Sequence, residues 1–201
     1  MKEIIIVLDT ETLGLADRRV YEIGYVVATA DGKILRERDY MIKQIYENQE
    51  LFQSAYYSNK RDLYEQKLAD GKAKSVYWGY AMKVLASDIE RYGVVKLYAY
   101  NSRFDISAIE CTHQSLGAKR KPTENGIIDI MDFIGCITET ENYVRFCETN
   151  GYMTNHKTPR PQKKAETLYR YLTNNTDFIE EHMALEDSQI ELEILLRALG
   201  N

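Results

Sequence analysis

Residues 3–15 read EIIIVLDTETLGL. The β-branched run Ile4 to Leu8 between polar flanks is too short for a helix, and it predicts a fully buried strand at the centre of a sheet. Chemistry then belongs at its C-terminal end, where Asp9 and Glu11 stand two residues apart and so leave an extended backbone on the same face. An isolated D-x-E pair is more simply a solvated strand end, so the rest of the chain has to decide its meaning. Val20 to Ala30, the turn Asp31-Gly32 and Ile34 to Ile42 predict a hairpin directly after this strand. From about 44 to 92 the composition turns helical and tyrosine-rich, broken at Asp70-Gly71, which predicts two or three helices. Val94 to Tyr100 predicts a strand, Ser102 to Leu116 a helix stopped by Gly117, and Ile127 to Ile130 a further short strand followed by helical character through Phe146. Asn150 to Lys164 carries Gly151, Pro159 and Pro161 and predicts a mobile loop. Ala165 to Leu172 and Leu185 to Leu199 predict the last two helices. Three consecutive strands, then helices alternating with two more, describe an α/β fold with a mixed five-stranded sheet flanked by helices.

The 201 residues, 44% hydrophobic and 28% charged, suit one domain over 1–201 and leave no room for two large ones. No apolar run near either end is long enough for a membrane span or a signal sequence. Cys111, Cys136 and Cys147 are an odd set with no C-x-x-C pair, in keeping with a reducing cytoplasm and against a thiolate metal site. The net charge of −5 argues against a protein that grips nucleic acid by overall basicity. Two local basic sets stand out nonetheless: Lys119-Arg120-Lys121, and Lys157, Arg160, Lys163 and Lys164 in the predicted loop.

Two further acids fall where an unpartnered charge is costly. Asp105 opens a helix, where an acid favours the macrodipole, but it precedes Ala108, Ile109, Thr112 and Leu116 at helical spacing and so lies on or beside the core-facing stripe. On a wheel of the last helix, Asp187 falls beside Ile190 and Ile194 and outside the polar strip of Glu186, Gln189, Glu193 and Arg197; Glu191 shares its side. Such acids need a base, a proton or a cation. His182 lies five residues before Asp187, just outside the helix.

In order and spacing, D9-T-E11-T-L-G, then N101-S-R-F-D105, then H182-M-A-L-E-D187 resemble the three motifs of the DEDDh family of 3′-to-5′ exonucleases, which includes the proofreading subunit of bacterial DNA polymerase III and ribonuclease T. The resemblance spans the chain, and the H-x-x-x-x-D spacing separates it from the sister group that uses a tyrosine. It implies an RNase H-like fold and release of nucleoside 5′-monophosphates from the 3′ ends of DNA or RNA. It also implies two divalent cations, Mg²⁺ or Mn²⁺, held by Asp9, Glu11, Asp105 and Asp187, with His182 activating the attacking water; lying beyond the proline-containing basic loop and just before a helix start, His182 is expected to be loosely tethered. Hard oxygen ligands suit such ions, and once loaded they remove most of the acidic excess. By the same resemblance Thr12, Leu13, Gly14, Asn101 and Phe104 contact the terminal nucleotides, Leu15 packs beside them, single-stranded ends are the partner, and a polymerase or replication assembly is a further one. The segment at 44–92 lacks the histidine-glycine element of many members and looks like that of short stand-alone members encoded by phages. Competing readings are an RNase H-like endonuclease and a non-catalytic nucleic-acid-binding module of the same fold. A haloacid-type phosphatase is disfavoured because the second acid is Glu11 where its motif has aspartate.

Overall fold

A computed structural model describes residues 3–200. The first strand is β1 (Ile4–Thr12), followed by β2 (Val20–Thr29) and β3 (Ile34–Ile42). Period-two alternation works on both faces of β1: Ile6 and Leu8 enter one apolar cluster, Ile5 and Val7 the other. The hairpin turn holds Gly32 at φ 92°, a conformation that L side chains resist.

The tyrosine-rich segment folds as the short helices α1 (Lys43–Tyr46) and α2 (Gln49–Gln53), a 3-10 turn at Ser58–Lys60, α3 (Arg61–Ala69), the strand β4 (Lys74–Val76) and the long α4 (Trp78–Tyr92). The chain continues through β5 (Lys96–Ala99), α5 (Arg103–Leu116), β6 (Ile128–Asp129), α6 (Gly135–Thr138), α7 (Glu141–Asn150), α8 (Ala165–Thr173) and α9 (Ala184–Ala198). Strand order is β4-β3-β2-β1-β5-β6, with β1/β2 and β2/β3 antiparallel and the remaining pairs parallel. The class is the expected mixed α/β sheet, with six strands where five were expected. The additional one is β4, a three-residue edge strand that follows helical composition and is too short to show alternation.

Tyr21, Phe52, Tyr64 and Tyr46 interlock edge-to-face on the α1–α4 side, with centroids 4.9 to 6.0 Å apart. Of the tyrosines in this segment, Tyr46 and Tyr64 are core, Tyr57 and Tyr92 are half-buried, and Tyr56, Tyr77 and Tyr80 are exposed. The opposite face carries α6 to α9, with Tyr98, Tyr143, Leu168 and Leu195 buried. Among the described residues no helix is long and apolar enough to cross a membrane, and Cys111, Cys136 and Cys147 are all free. The 150–164 loop closes on itself through Thr154 N–H to Arg160 O at 2.7 Å and Gln162 N–H to Tyr152 O at 2.9 Å.

Candidate active site

Two close approaches bring the acids together. Gly24 pairs with Asp9 across the β1/β2 ladder, and the start of α9 rests directly on it: a Cβ there would lie 2.1 Å from the Leu185 backbone nitrogen. The Ser188 hydroxyl donates to the Gly24 carbonyl at 3.1 Å, and the Ala184 N–H donates to Glu22 Oε2 at 3.1 Å, giving an orphan donor at the helix N-terminus its acceptor. Asp187, one turn in, is thereby carried to the end of β1. Lys67 of α3 inserts into the same region, pairing with Glu22 at 3.3 Å, Glu186 at 2.8 Å and Asp39.

On the other side of β1, the Thr10 hydroxyl donates to Asp105 Oδ1 at 2.8 Å and fixes the first turn of α5 against the strand. Asp105 is 1% exposed and Asp187 6% exposed, so both carboxyls lie away from bulk water. Burial, reinforced by the other acids, pushes Asp9 and Glu11 well above the usual carboxylate range. Burial brings Asp105 to about 7, opposed by the Thr10 hydrogen bond, and brings Asp187 to about 9, with Asp9 adding to the rise.

A cleft of about 900 Å³ opens over these groups. Asp9, Glu11, Asp105, Asp187 and His182 line it, together with Thr12, Gly14, Asn101 and Phe104. Leu13 does not: it is 3% exposed and belongs to the core, while Leu15, 80% exposed, stands at the rim. The turn is set by Leu13 N–H to Arg19 O and Gly14 N–H to Asp17 O, which bury Leu13 and leave Leu15 outside. Asn101 adopts φ 57° and donates its N–H to Asp129 Oδ1 at 3.0 Å, and Arg18 lies over the Phe104 ring at 5.5 Å. Lys163 and Lys164 reach the cleft, and Lys157 and Arg160 line an adjoining hollow with Lys163. Lys119 and Arg120 line a separate hollow with Lys83.

The structure adds groups that the sequence did not single out. Glu191, one turn after Asp187, is buried in the same cleft, accepts the Tyr100 N–H at 3.2 Å and has its carboxyl raised by burial and by Asp9, Asp105 and Asp187. Its place on the Asp187 side of the helix was visible in the sequence, which singled out that face and not one acid of it, and the motif resemblance then chose Asp187 alone. Glu180 faces His182 Nδ1 at 3.6 Å, and burial raises its carboxyl to about 7. Tyr57 stacks on the His182 ring, a pairing between residues too far apart in sequence to leave any signal.

Among the described residues no lysine or arginine forms an ion pair with Asp9, Glu11, Asp105, Asp187 or Glu191. One oxygen of Asp187 is buried with no hydrogen-bond partner, and ligand atoms of Glu11, His182 and Asp187 lie within 4.8 Å of one another. A buried carboxylate oxygen without a donor, amid like charges, is the environment that a hard divalent cation satisfies. The donor set fits such an ion.

No known protein-family profile matches the sequence, and no curated protein matches it. Solved structures do match. The nuclease domain of 3′hExo, a DEDDh family member bound to rAMP, superposes with a TM-score of 0.63 at 12% identity, over 99% of this chain and 92% of that one. Exonuclease I in complex with the inhibitor BCBP gives 0.56 at 14% identity, and E. coli exonuclease I with a dT13 oligonucleotide gives 0.55 at 13%; each covers 98% of this chain. The chain spans 41% of the length of these exonuclease I chains. The likeness is one of fold, the RNase H-like α/β fold seen in DEDDh exonucleases.

Proposed function

We propose that this chain is a metal-dependent 3′-to-5′ exonuclease of DEDDh type, acting as one domain over 1–201 on single-stranded DNA or RNA ends in a reducing cytoplasm. The observation that carries the reading is the meeting of Asp9, Glu11, Asp105 and Asp187, from three separate elements, beside His182 in one cleft. The four acids would hold two Mg²⁺ or Mn²⁺ ions, with Glu11 and Asp187 nearest His182. When bound, such ions stabilise negative charge on the entering and leaving oxygens of phosphodiester hydrolysis.

His182 takes the proton from the attacking water. Burial and the nearby Lys60 hold its imidazole below its ordinary pKa, so it is neutral and able to accept near pH 7. Lys163 and Lys164, at the rim, suit contact with phosphates of the strand behind the terminal nucleotide. Leu15, Phe104 and Asn101 form the remaining wall for that nucleotide, with Gly14 beside them.

Digestion of 5′-labelled single-stranded DNA and RNA in Mg²⁺ or Mn²⁺ tests the reading. A ladder shortening from the 3′ end with release of nucleoside 5′-monophosphates is expected, and Asp9→Ala should abolish it while the variant stays folded. Internal fragments would identify an endonuclease instead, and binding without cleavage a non-catalytic module.

A further inference from the structure

His182 is the one group of the proposed chemistry that neither a helix nor a strand carries, since residues 178–183 have no regular structure. Its backbone is nevertheless left-handed, at φ 50°, a conformation uncommon for a non-glycine residue and one that neighbouring contacts must hold. The surroundings come from the tyrosine-rich segment, to which the proposed reaction otherwise assigns no part. The Tyr57 ring lies parallel to the imidazole, with centroids 4.9 Å apart and planes 13° from coplanar. The Lys60 ammonium sits 4.1 Å from the Tyr57 centroid and donates to the carbonyl of Glu181, the residue before His182.

Tyr57 is itself braced. Tyr56 meets it edge-on at 4.9 Å, and the Tyr56 N–H donates to the Leu13 carbonyl at 3.1 Å, which ties the pair to the end of β1. A continuous strut thus runs from the strand that carries Asp9 and Glu11, through two tyrosines, to the histidine. It contrasts with the loosely tethered histidine that the proline-containing loop suggested.

We infer that Tyr57, braced by Lys60, is a positioning residue for the proposed exonuclease reaction, a clasp that presets the His182 ring before substrate arrives. The inference rests on the exonuclease reading for its consequence in turnover, but the clasp itself is a property of the free chain. Parallel stacking fixes the plane of the imidazole, and the Lys60 bond to Glu181 fixes the turn that presents it. Tyr57 needs only its ring for this, not its hydroxyl.

Two measurements on the full chain test the clasp. The first is the Cε1–H proton resonance of His182 in EDTA, identified among the three histidines by its loss in His182→Ala. Stacking on Tyr57 should shift it upfield in the parent and in Tyr57→Phe, and Tyr57→Ala should return it toward the free-imidazole position. The second is steady-state kinetics on a labelled oligonucleotide: Tyr57→Ala should lower kcat by about 10- to 100-fold with little change in KM, and Tyr57→Phe should restore most of it. A His182 resonance indifferent to Tyr57→Ala overturns the clasp whether or not the protein is active. A Tyr57→Ala defect confined to KM, or one that Phe does not rescue, also overturns it, by making Tyr57 a substrate contact or the hydroxyl the working group. Absence of turnover in the parent itself would refute the exonuclease reading, which the resonance does not address.

Discussion

Asp105 and Asp187 show how far the surroundings of one carboxyl set its behaviour. The first accepts a hydrogen bond from Thr10 and titrates near 7; the second has an oxygen with no donor and titrates near 9. Both values lie above the ~4 expected of an unfolded aspartate, so between these limits the folded chain binds more protons than the unfolded chain. Stability of the metal-free protein therefore falls as pH rises from about 5 to about 9. A thermal melt in EDTA should show its midpoint dropping by several degrees over that range, and added Mg²⁺ should raise the midpoint more at the alkaline end, where the carboxyls are free to bind it. For His182, whose pKa is depressed by burial and Lys60, the acid limb of the rate profile should lie below the ordinary ~6.5. His182→Ala should lose about 10² to 10⁴ in turnover together with most of that limb, while retaining divalent binding by calorimetry. At this scale Asp105 and Asp187 stood out in the sequence by their apolar neighbours, whereas Asp9, Glu11 and His182 stood out only through the motif resemblance; the structure brings all five to one cleft. Glu180 and Tyr57 did not stand out, because their significance comes only from what the fold places opposite them, and Glu191 was placed on the Asp187 face without a part of its own.

Among the elements, β2 and α9 matter most to the site, since α9 lies on the sheet where Gly24 leaves a gap. Gly24→Ala would place a Cβ against the backbone of Ala184 and Leu185, which cannot give way as a side-chain tip can. Such overpacking costs about 1–3 kcal/mol or more, and because the displaced helix carries Asp187, activity should fall further than stability alone explains. Chemical denaturation alongside an assay under conditions where the variant is fully folded separates the two losses. The hairpin and the alternating later strands were readable from periodicity and turn residues. Strand β4 was hidden by its length, and the true role of the tyrosine-rich helices was hidden because aromatic residues serve core and surface alike: Tyr64 is fully buried, while Tyr56 is 80% exposed. Leu13 and Leu15 make the same point in miniature, since two leucines flanking one glycine share a composition and differ only through the backbone bonds of the turn.

Across the whole molecule, the cleft lies over the C-terminal ends of β1 and β5, closed on one side by the turn after β1 and on another by the 163–165 stretch. On the proposed reading this site takes a strand end and not the middle of a strand. A covalently closed single-stranded circle should resist digestion under conditions that consume its linear form, and gel analysis of the two side by side checks this; efficient cutting of the circle would remove the end requirement. The dispersal of the acids along the chain has a consequence during synthesis. Asp9 and Glu11 leave the ribosome long before Asp187 does, and Glu22 and Gly24 wait through that interval for the helix that docks on them. On the proposed reading, a nascent chain that lacks α9 holds half of a catalytic centre and cuts nothing, so it leaves its own messenger intact until that helix is made and docks.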